Sequence, residues 1–188
     1  MIPYEFNAER FSRWMAYVLR HNPERYGLQV DRHGYVDVEE FVKIAQRRYP
    51  DLNPDRLRDL IASSGTARFE LIGDRVRARY GHSIPVEPVG PPVEPPQKLY
   101  YGTDAGRLEP LLIDGLNPSD RRMLHLSTTR DEALTIARRK TDQPAILGIL
   151  AREAHDSGVS FYTEGAVYLA SHIPARFLQR EPLPANVP

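Results

Sequence analysis

The stretch from Ile84 to Lys98 reads IPVEPVGPPVEPPQK, with prolines at 85, 88, 91, 92, 95 and 96. Each proline removes a backbone donor and fixes φ, so this stretch can be neither a helix nor a central strand. It is a semi-stiff, extended connector. The 188-residue chain is long enough for two small domains, and the boundary is placed here. The expected organisation is a first lobe 1–83, a linker 84–98 and a second lobe 99–188.

Net charge is zero, so there is no global basic field, and binding to nucleic acid would need a local patch. The absence of cysteine excludes disulfides, thiolate metal sites and a cysteine nucleophile, and it suits a cytoplasmic protein. Residues 1–6, MIPYEF, lack a basic region followed by an apolar core, so no signal peptide is expected. No apolar run approaches a membrane span.

In the first lobe, Asn7 is a good N-cap for a helix from Ala8 to about His21. Phe11, Trp14, Met15, Val18 and Leu19 form its apolar stripe. Asn22-Pro23 ends it and leaves Arg20 and His21 in the last turn, where the helix dipole favours basic residues in any case. Gly27–Val30 and Tyr35–Val38 read as short extended pieces around an Asp31–Gly34 turn. A second helix is expected over about 38–48, with Phe41, Val42 and Ala45 inward. Asn53-Pro54 starts a third, through about Ala62, with Leu57, Leu60 and Ile61 inward.

A hairpin then follows, with strand Arg68–Ile72, turn Gly73-Asp74 and strand Arg75–Tyr80. Alternation puts Val76, Ala78 and Tyr80 on a core face and Arg75, Arg77 and Arg79 on an outward one. Three guanidiniums in a row suit phosphate; a charged, solvated edge strand is the simpler alternative. Three helices and a hairpin follow the order of a winged-helix module.

In the second lobe, Leu99–Thr103 reads as a strand. Thr103 or Asp104 caps a helix to about Asp114, with Leu108, Leu111 and Leu112 inward and Gly115 closing it. Leu124–Ser127 is the next strand. Thr129-Arg130-Asp131-Glu132 fits a capping box, starting a helix to about Lys140 with Ala133, Ile136 and Ala137 inward and Arg138, Arg139 and Lys140 crowding its last turn. Strands are expected at Pro144–Leu150, Val159–Tyr162 and Ala166–Leu169, with a last extended element over Ile173–Leu178. Glu181–Pro188 reads as a poorly ordered tail. The fold class is α+β. Walker A and Gly-x-Gly-x-x-Gly loops are absent, the six histidines have no metal spacing, and no carboxylate pair suggests hydrolysis.

Four stretches together resemble the NAD-dependent RNA 2′-phosphotransferase family. They are Leu19-Arg20-His21, Val76-Arg77-Ala78-Arg79-Tyr80-Gly81-His82-Ser83, Leu99-Tyr100-Tyr101-Gly102-Thr103 and Leu124-His125-Leu126-Ser127. Their order, the proline linker and the later Ile136-Ala137-Arg138-Arg139 also match, so the resemblance runs from about Phe11 to Leu178. It implies an N-terminal winged-helix-like RNA lobe and a C-terminal ADP-ribosyltransferase-like mixed α/β lobe that binds NAD as co-substrate. The implied reaction removes an internal RNA 2′-phosphate in two steps. The 2′-phosphate first attacks C1″ of the nicotinamide riboside and expels nicotinamide. The ribose 2″-hydroxyl then attacks phosphorus, which releases RNA with a 2′-hydroxyl and ADP-ribose 1″,2″-cyclic phosphate.

The family's Arg-His-Arg-Arg quartet falls on Arg20, His21, Arg77 and Arg139, with Arg138 the neighbouring alternative to the last. His21 is left either hydrogen-bonding the phosphate or donating a proton to the leaving oxygen. The NAD-binding set is Tyr101, Gly102, Thr103, His125 and Ser127. The family usually has histidine where this chain has Tyr101, glycine at Ala137, and His-Gly at Lys140-Thr141. No metal is implied, because arginines can neutralise the phosphate. The implied partner is RNA bearing a 2′-phosphate, with tRNA splicing one setting for it, and the implied state is a cytoplasmic monomer. Two other readings stay open: an ADP-ribosyltransferase acting on a nucleic-acid terminal phosphate or on a protein, and a non-catalytic winged-helix nucleic-acid binder.

Overall fold

A computed structural model describes residues 6–64 and 68–183. The chain divides into two compact units, Met1–Pro88 and Val89–Pro188. Both are mixed α/β, with small antiparallel sheets and six α-helices among the described residues. No helix among them is long and apolar enough to cross a membrane.

The first unit is built on helix α1 (Ala8–His21). Asn7 caps it by accepting from the Arg10 amide at 2.8 Å. The stripe residues Phe11, Met15, Val18 and Leu19 are buried as its spacing requires. They pack on α2 (Val38–Ala45), on Leu57 of α3 (Pro54–Ser63), and on Phe69, Val76 and Ala78. Helix α2 stops three residues short of the expected end. The Tyr49 amide turns back to the Ala45 carbonyl at 2.8 Å, and the Tyr49 ring meets Phe11 edge-on at 5.1 Å. Burying that aromatic ends the helix. In α3 Leu57 is buried, while Leu60 and Ile61 are only partly covered. Gly27–Val30 forms no strand; a 3-10 turn at Glu24–Tyr26 leads into Gly27, at φ 77°.

Strands β1 (Val36–Asp37), β2 (Phe69–Ile72) and β3 (Arg75–Ala78) pair in the order β1-β3-β2, all antiparallel. Ile72 faces Arg75 across the two-residue turn Gly73-Asp74, and Gly73 takes a positive φ of 57°. A positive φ at the first turn residue only is the pattern of a type II′ hairpin. The expected outward arginine row is corrected at its centre. Arg75 is exposed, but Arg77 is 2% exposed, because Tyr35 and Glu70 cover it on the face that alternation assigns to solvent.

The second unit opens with β4 (Lys98–Asp104), which pairs antiparallel with β6 (Pro144–Leu150); β9 (Leu178–Glu181) completes that sheet. The other sheet has the order β5-β8-β7, from Leu124–Leu126, Val167–Ala170 and Phe161–Glu164. Tyr100 and Ser127 form a two-bond bridge, at 2.9 and 2.8 Å, that ties β4 to the end of β5. Leu99 and Ile149 face a core shared with Leu126, Phe161 and Ala170. Helix α5 (Arg130–Arg138) covers the opposite face of β4 and β6, over Tyr100 and Ile146.

Several local expectations change. Asp104 caps a short 3-10 turn, Ala105–Arg107, before α4 (Leu108–Asp114) begins. The capping box is shifted: Thr129 accepts from the Glu132 amide, but the Glu132 carboxylate reaches back to Thr128, not Thr129. Ile136 is 38% exposed, and Leu134 takes the inward place beside Ala133 and Ala137. Residues 173–178 are not one extended element. A 3-10 turn at Ala175–Phe177, which buries the Phe177 ring, separates the Leu116–Ile173 bridge from β9. Glu181 belongs to β9, and residues 184–188 of the expected tail lie outside the described residues. The six-residue α6 (Ala151–Asp156) was not anticipated.

Candidate active site

The end of α1 carries Arg20 and His21. A helix leaves its last carbonyls unpaired, and here a remote segment supplies a donor: the Ser83 amide donates to the Arg20 carbonyl at 3.0 Å. Ser83 Oγ and His21 Nδ1 share a second bond of 2.9 Å. These two bonds fasten Gly81-His82-Ser83, just beyond β3, to the helix end. Gly81 makes this approach possible. It sits at φ +90°, and a Cβ there would lie 3.3–3.4 Å from the Arg20 guanidinium. Arg20 also stands over the Tyr80 ring, 5.2 Å from its centroid.

Arg77 reaches the same region from β3. Its Nε donates to Glu70 Oε2 at 2.7 Å, and its guanidinium lies 5.1 Å from the Tyr35 ring centroid. The Tyr35 hydroxyl donates to the same carboxylate oxygen at 2.6 Å. Arg79 meets the other oxygen, Oε1, at 3.2 Å. Burial raises the Glu70 pKa, but the bonds from Tyr35 and Arg77 and the two guanidinium charges outweigh it, holding the carboxyl below the usual range. The third ribbon arginine is engaged elsewhere: Arg75 pairs with Asp31 at 2.7 Å.

His82 stands among these cations. It is 5% exposed, and its buried Nε2 has no hydrogen-bond partner among the described residues. Burial, and then the charges of Arg20, Arg77 and His21, lower its pKa to about 4. It is therefore neutral at pH 7. Gly34 leaves room for it, since a Cβ at Gly34 would come 3.1 Å from Nε2. Arg20, His21, Arg77, His82 and Ser83 thus form one constellation in the first unit: a cationic cluster lined by a neutral imidazole and a hydroxyl. Such a cluster can hold a phosphate dianion by charge-assisted hydrogen bonds. Sequence reasoning missed His82 as a member, and Tyr35 and Glu70 as the groups that hold Arg77.

The remaining site candidates lie in the second unit. Tyr101, Gly102 and Thr103 are successive residues of β4, and Ser127 is bridged to Tyr100. Thr103 and Ser127 are buried hydroxyls. Gly102 is glycine because α5 lies against it: a Cβ would sit 2.0 Å from the Ala133 carbonyl oxygen. Its backbone has a second property. The Tyr100 N–H and C=O both point to Ser127, so by strand alternation those of Gly102 point to the same side. There the chain has left β5 for the α5 cap, and no strand among the described residues continues the pairing. One donor and one acceptor side by side match a carboxamide. His125 accepts at Nδ1 from Arg121 at 2.7 Å; a guanidinium only donates, so the ring proton is on Nε2. Arg138 ends α5, Arg139 is its C-cap, and both are exposed. The second unit thus offers two buried hydroxyls, an imidazole N–H and the Gly102 amide and carbonyl as donors and acceptors for a polar ligand.

Residues 7–172 match the family model described as RNA 2′-phosphotransferase, Tpt1 / KptA family. A relative from Archaeoglobus fulgidus named probable RNA 2′-phosphotransferase 1 is 35% identical over 182 residues, covering 96% of this chain and 84% of its own. Relatives from Lacticaseibacillus paracasei and Burkholderia lata, both named probable RNA 2′-phosphotransferase, are 39% identical over 172 residues and 36% over 184. They are covered over 91% and 94% of their lengths, by 90% and 96% of this chain. A match of this extent is membership: the chain belongs to the RNA 2′-phosphotransferase family and is a transferase.

Proposed function

We propose that this transferase removes an internal 2′-phosphate from RNA with NAD as co-substrate, leaving a 2′-hydroxyl on the RNA and releasing nicotinamide and ADP-ribose 1″,2″-cyclic phosphate. The first unit acts as a winged-helix-like RNA lobe and the second as an ADP-ribosyltransferase-like NAD lobe. The observation that carries this reading is the fastening of Ser83, just beyond the β3 strand that bears Arg77, to the end of α1 that bears Arg20 and His21, with His82 buried under the charges of all three.

The arginines and His21 hold the 2′-phosphate. Guanidiniums stay charged at any relevant pH and grip phosphate oxygens in pairs, so the dianion is bound and aimed without a metal. Neutral His82 adds no charge to the cluster, and its Nε2 lies against Gly34 as a spacer. NAD, when bound, supplies an electrophilic ribose carbon whose bond to the nicotinamide nitrogen breaks with the electron pair leaving on that nitrogen. The Gly102 amide and carbonyl would orient the carboxamide of that leaving group, and Thr103, His125 and Ser127 would hydrogen-bond its ribose. Tyr101 takes a place beside them with a hydroxyl donor. In the second step the ribose 2″-hydroxyl would attack phosphorus: the P–O2″ bond forms, the P–O2′ bond breaks, and the proton given up by the 2″-hydroxyl is balanced by the one the RNA oxygen takes. The fixed guanidiniums stabilise the charge on the crowded phosphoryl group. Arg139 is assigned to this step by the family resemblance alone. We assign His21 to the phosphate as a hydrogen-bond donor and, in this step, to the departing oxygen as proton donor.

The test is Arg77→Ala. It should abolish phosphate removal while circular dichroism shows the fold retained; normal turnover would refute the clamp. RNA that gains ADP-ribose and keeps it would instead mark a transferase that stops after the first step.

A further inference from the structure

Of the three ribbon arginines, only the middle one is buried, and it is held by Glu70 and Tyr35. We propose that Glu70, braced by Tyr35, is a positioning residue that sets the angle of the Arg77 guanidinium for phosphoryl transfer. This rests on Arg77 being the phosphate clamp.

The geometry has three parts. The carboxylate takes the Nε of Arg77 at 2.7 Å, which fixes the guanidinium plane from its inner side. The Tyr35 ring lies against the guanidinium at 5.1 Å and limits its tilt. The Tyr35 hydroxyl, at 2.6 Å, and Arg79, at 3.2 Å, fix the carboxylate in turn. Tyr35 is itself pinned, because Asp31 accepts from its backbone amide and from that of His33, both at 2.9 Å, while pairing with Arg75. A relay therefore runs from the Asp31 turn through Tyr35 and Glu70 to Arg77. The hairpin register places Glu70 directly opposite Arg77, so the two side chains start as cross-strand neighbours on one face of the ribbon.

Glu70 also brings a negative charge to a site that must attract a dianion. For affinity alone that charge is a disadvantage. It makes sense where a guanidinium must be held at a fixed angle, since small misplacements of catalytic groups cost large factors in rate. Glu70→Gln keeps the size and one acceptor but loses the ion pair. Phosphate binding should therefore hold while the chemical step slows.

The experiment measures kcat with RNA bearing one internal 2′-phosphate at saturating NAD, and Kd for the same RNA without NAD. Wild type, Glu70→Gln, Tyr35→Phe and Arg77→Ala are run side by side. Glu70→Gln should lower kcat per RNA-binding site, the sites counted by titration, by roughly 10- to 100-fold with Kd within about threefold; loss of folded protein would lower the number of sites and leave kcat per site unchanged. Tyr35→Phe keeps the ring and should lower kcat by a smaller factor. A Glu70→Gln kcat within twofold of wild type, or a fall matched by an equal loss of binding, overturns the proposal. If Glu70→Gln does not fold, Tyr35→Phe decides by the same criterion. If Arg77→Ala turns over normally, the clamp reading fails; if Arg77→Ala is dead and Glu70→Gln normal, only the positioning role fails.

Discussion

Gly102→Ala should damage the second unit more than a single methyl usually does. The added Cβ would lie 2.0 Å from the Ala133 carbonyl oxygen, 2.9 Å from the Ala133 carbonyl carbon and 3.1 Å from the Ala137 Cβ. Reaching even 3.0 Å, below which Cβ contacts essentially never occur, requires 1.0 Å of movement from the 2.0 Å contact. Neither neighbour can rotate away, because two of the contacts are helix backbone. Either α5 lifts from the sheet or β4 shifts within it. Overpacking of this kind costs about 1–3 kcal/mol, and backbone on both sides puts it at the upper end. For a chain of this length about 3 kcal/mol corresponds to a fall in Tm of roughly 6–12 °C. Thermal unfolding followed by circular dichroism measures it. Nicotinamide release should fall as well, since the same shift moves the Gly102 N–H and C=O. A Tm within about 2 °C of wild type would refute the packing argument.

Other perturbations separate the parts of both units. Gly81→Ala meets both a positive φ of +90° and the Arg20 guanidinium at 3.3 Å; kcat/KM for 2′-phosphorylated RNA should drop by roughly tenfold or more. His82 has a folded-state pKa of about 4, below its ordinary 6.5. The unfolded state therefore binds more protons between those values, and stability rises with pH across that window and is lost as pH falls through it. At most this amounts to about 3 kcal/mol. Urea unfolding at pH 5 and pH 7 should show a smaller difference for His82→Gln than for wild type, and an unchanged difference would count against a neutral His82. Thr129→Ala removes the cap of α5 and should cost about 1 kcal/mol, or roughly 2–4 °C in a melt.

The elements read well where local chemistry marks both ends. Asn7 and Asn22-Pro23 bracket α1, and Asn53-Pro54 opens α3 at the residue expected. The β6 run is apolar throughout and its limits, Pro144 and Leu150, match. Errors arose where tertiary contacts decide. Ile136 and Leu134 both suit a helix face, and the position of α5 on β4 chooses Leu134. Helix α6 is six residues long and carries two buried alanines, too little for a periodic signal. The Arg77 environment joins residues 35, 70 and 77, and simple alternation points Arg77 at solvent. One clue was local all the same. A two-residue turn at Gly73-Asp74 pairs 72 with 75 and therefore 70 with 77, so the Glu70–Arg77 pair follows from the turn. His82 has no such clue, because its neutrality depends first on burial and then on the charges of Arg20, Arg77 and His21, which arrive from α1 and β3.

The most direct test of the account is to incubate the protein with a short RNA carrying one internal 2′-phosphate, with and without NAD, and to follow every product by mass. The account predicts loss of the phosphate only when NAD is present, with nicotinamide and ADP-ribose 1″,2″-cyclic phosphate formed in equal amounts. Phosphate loss without NAD, or no change in either RNA or NAD, would contradict it.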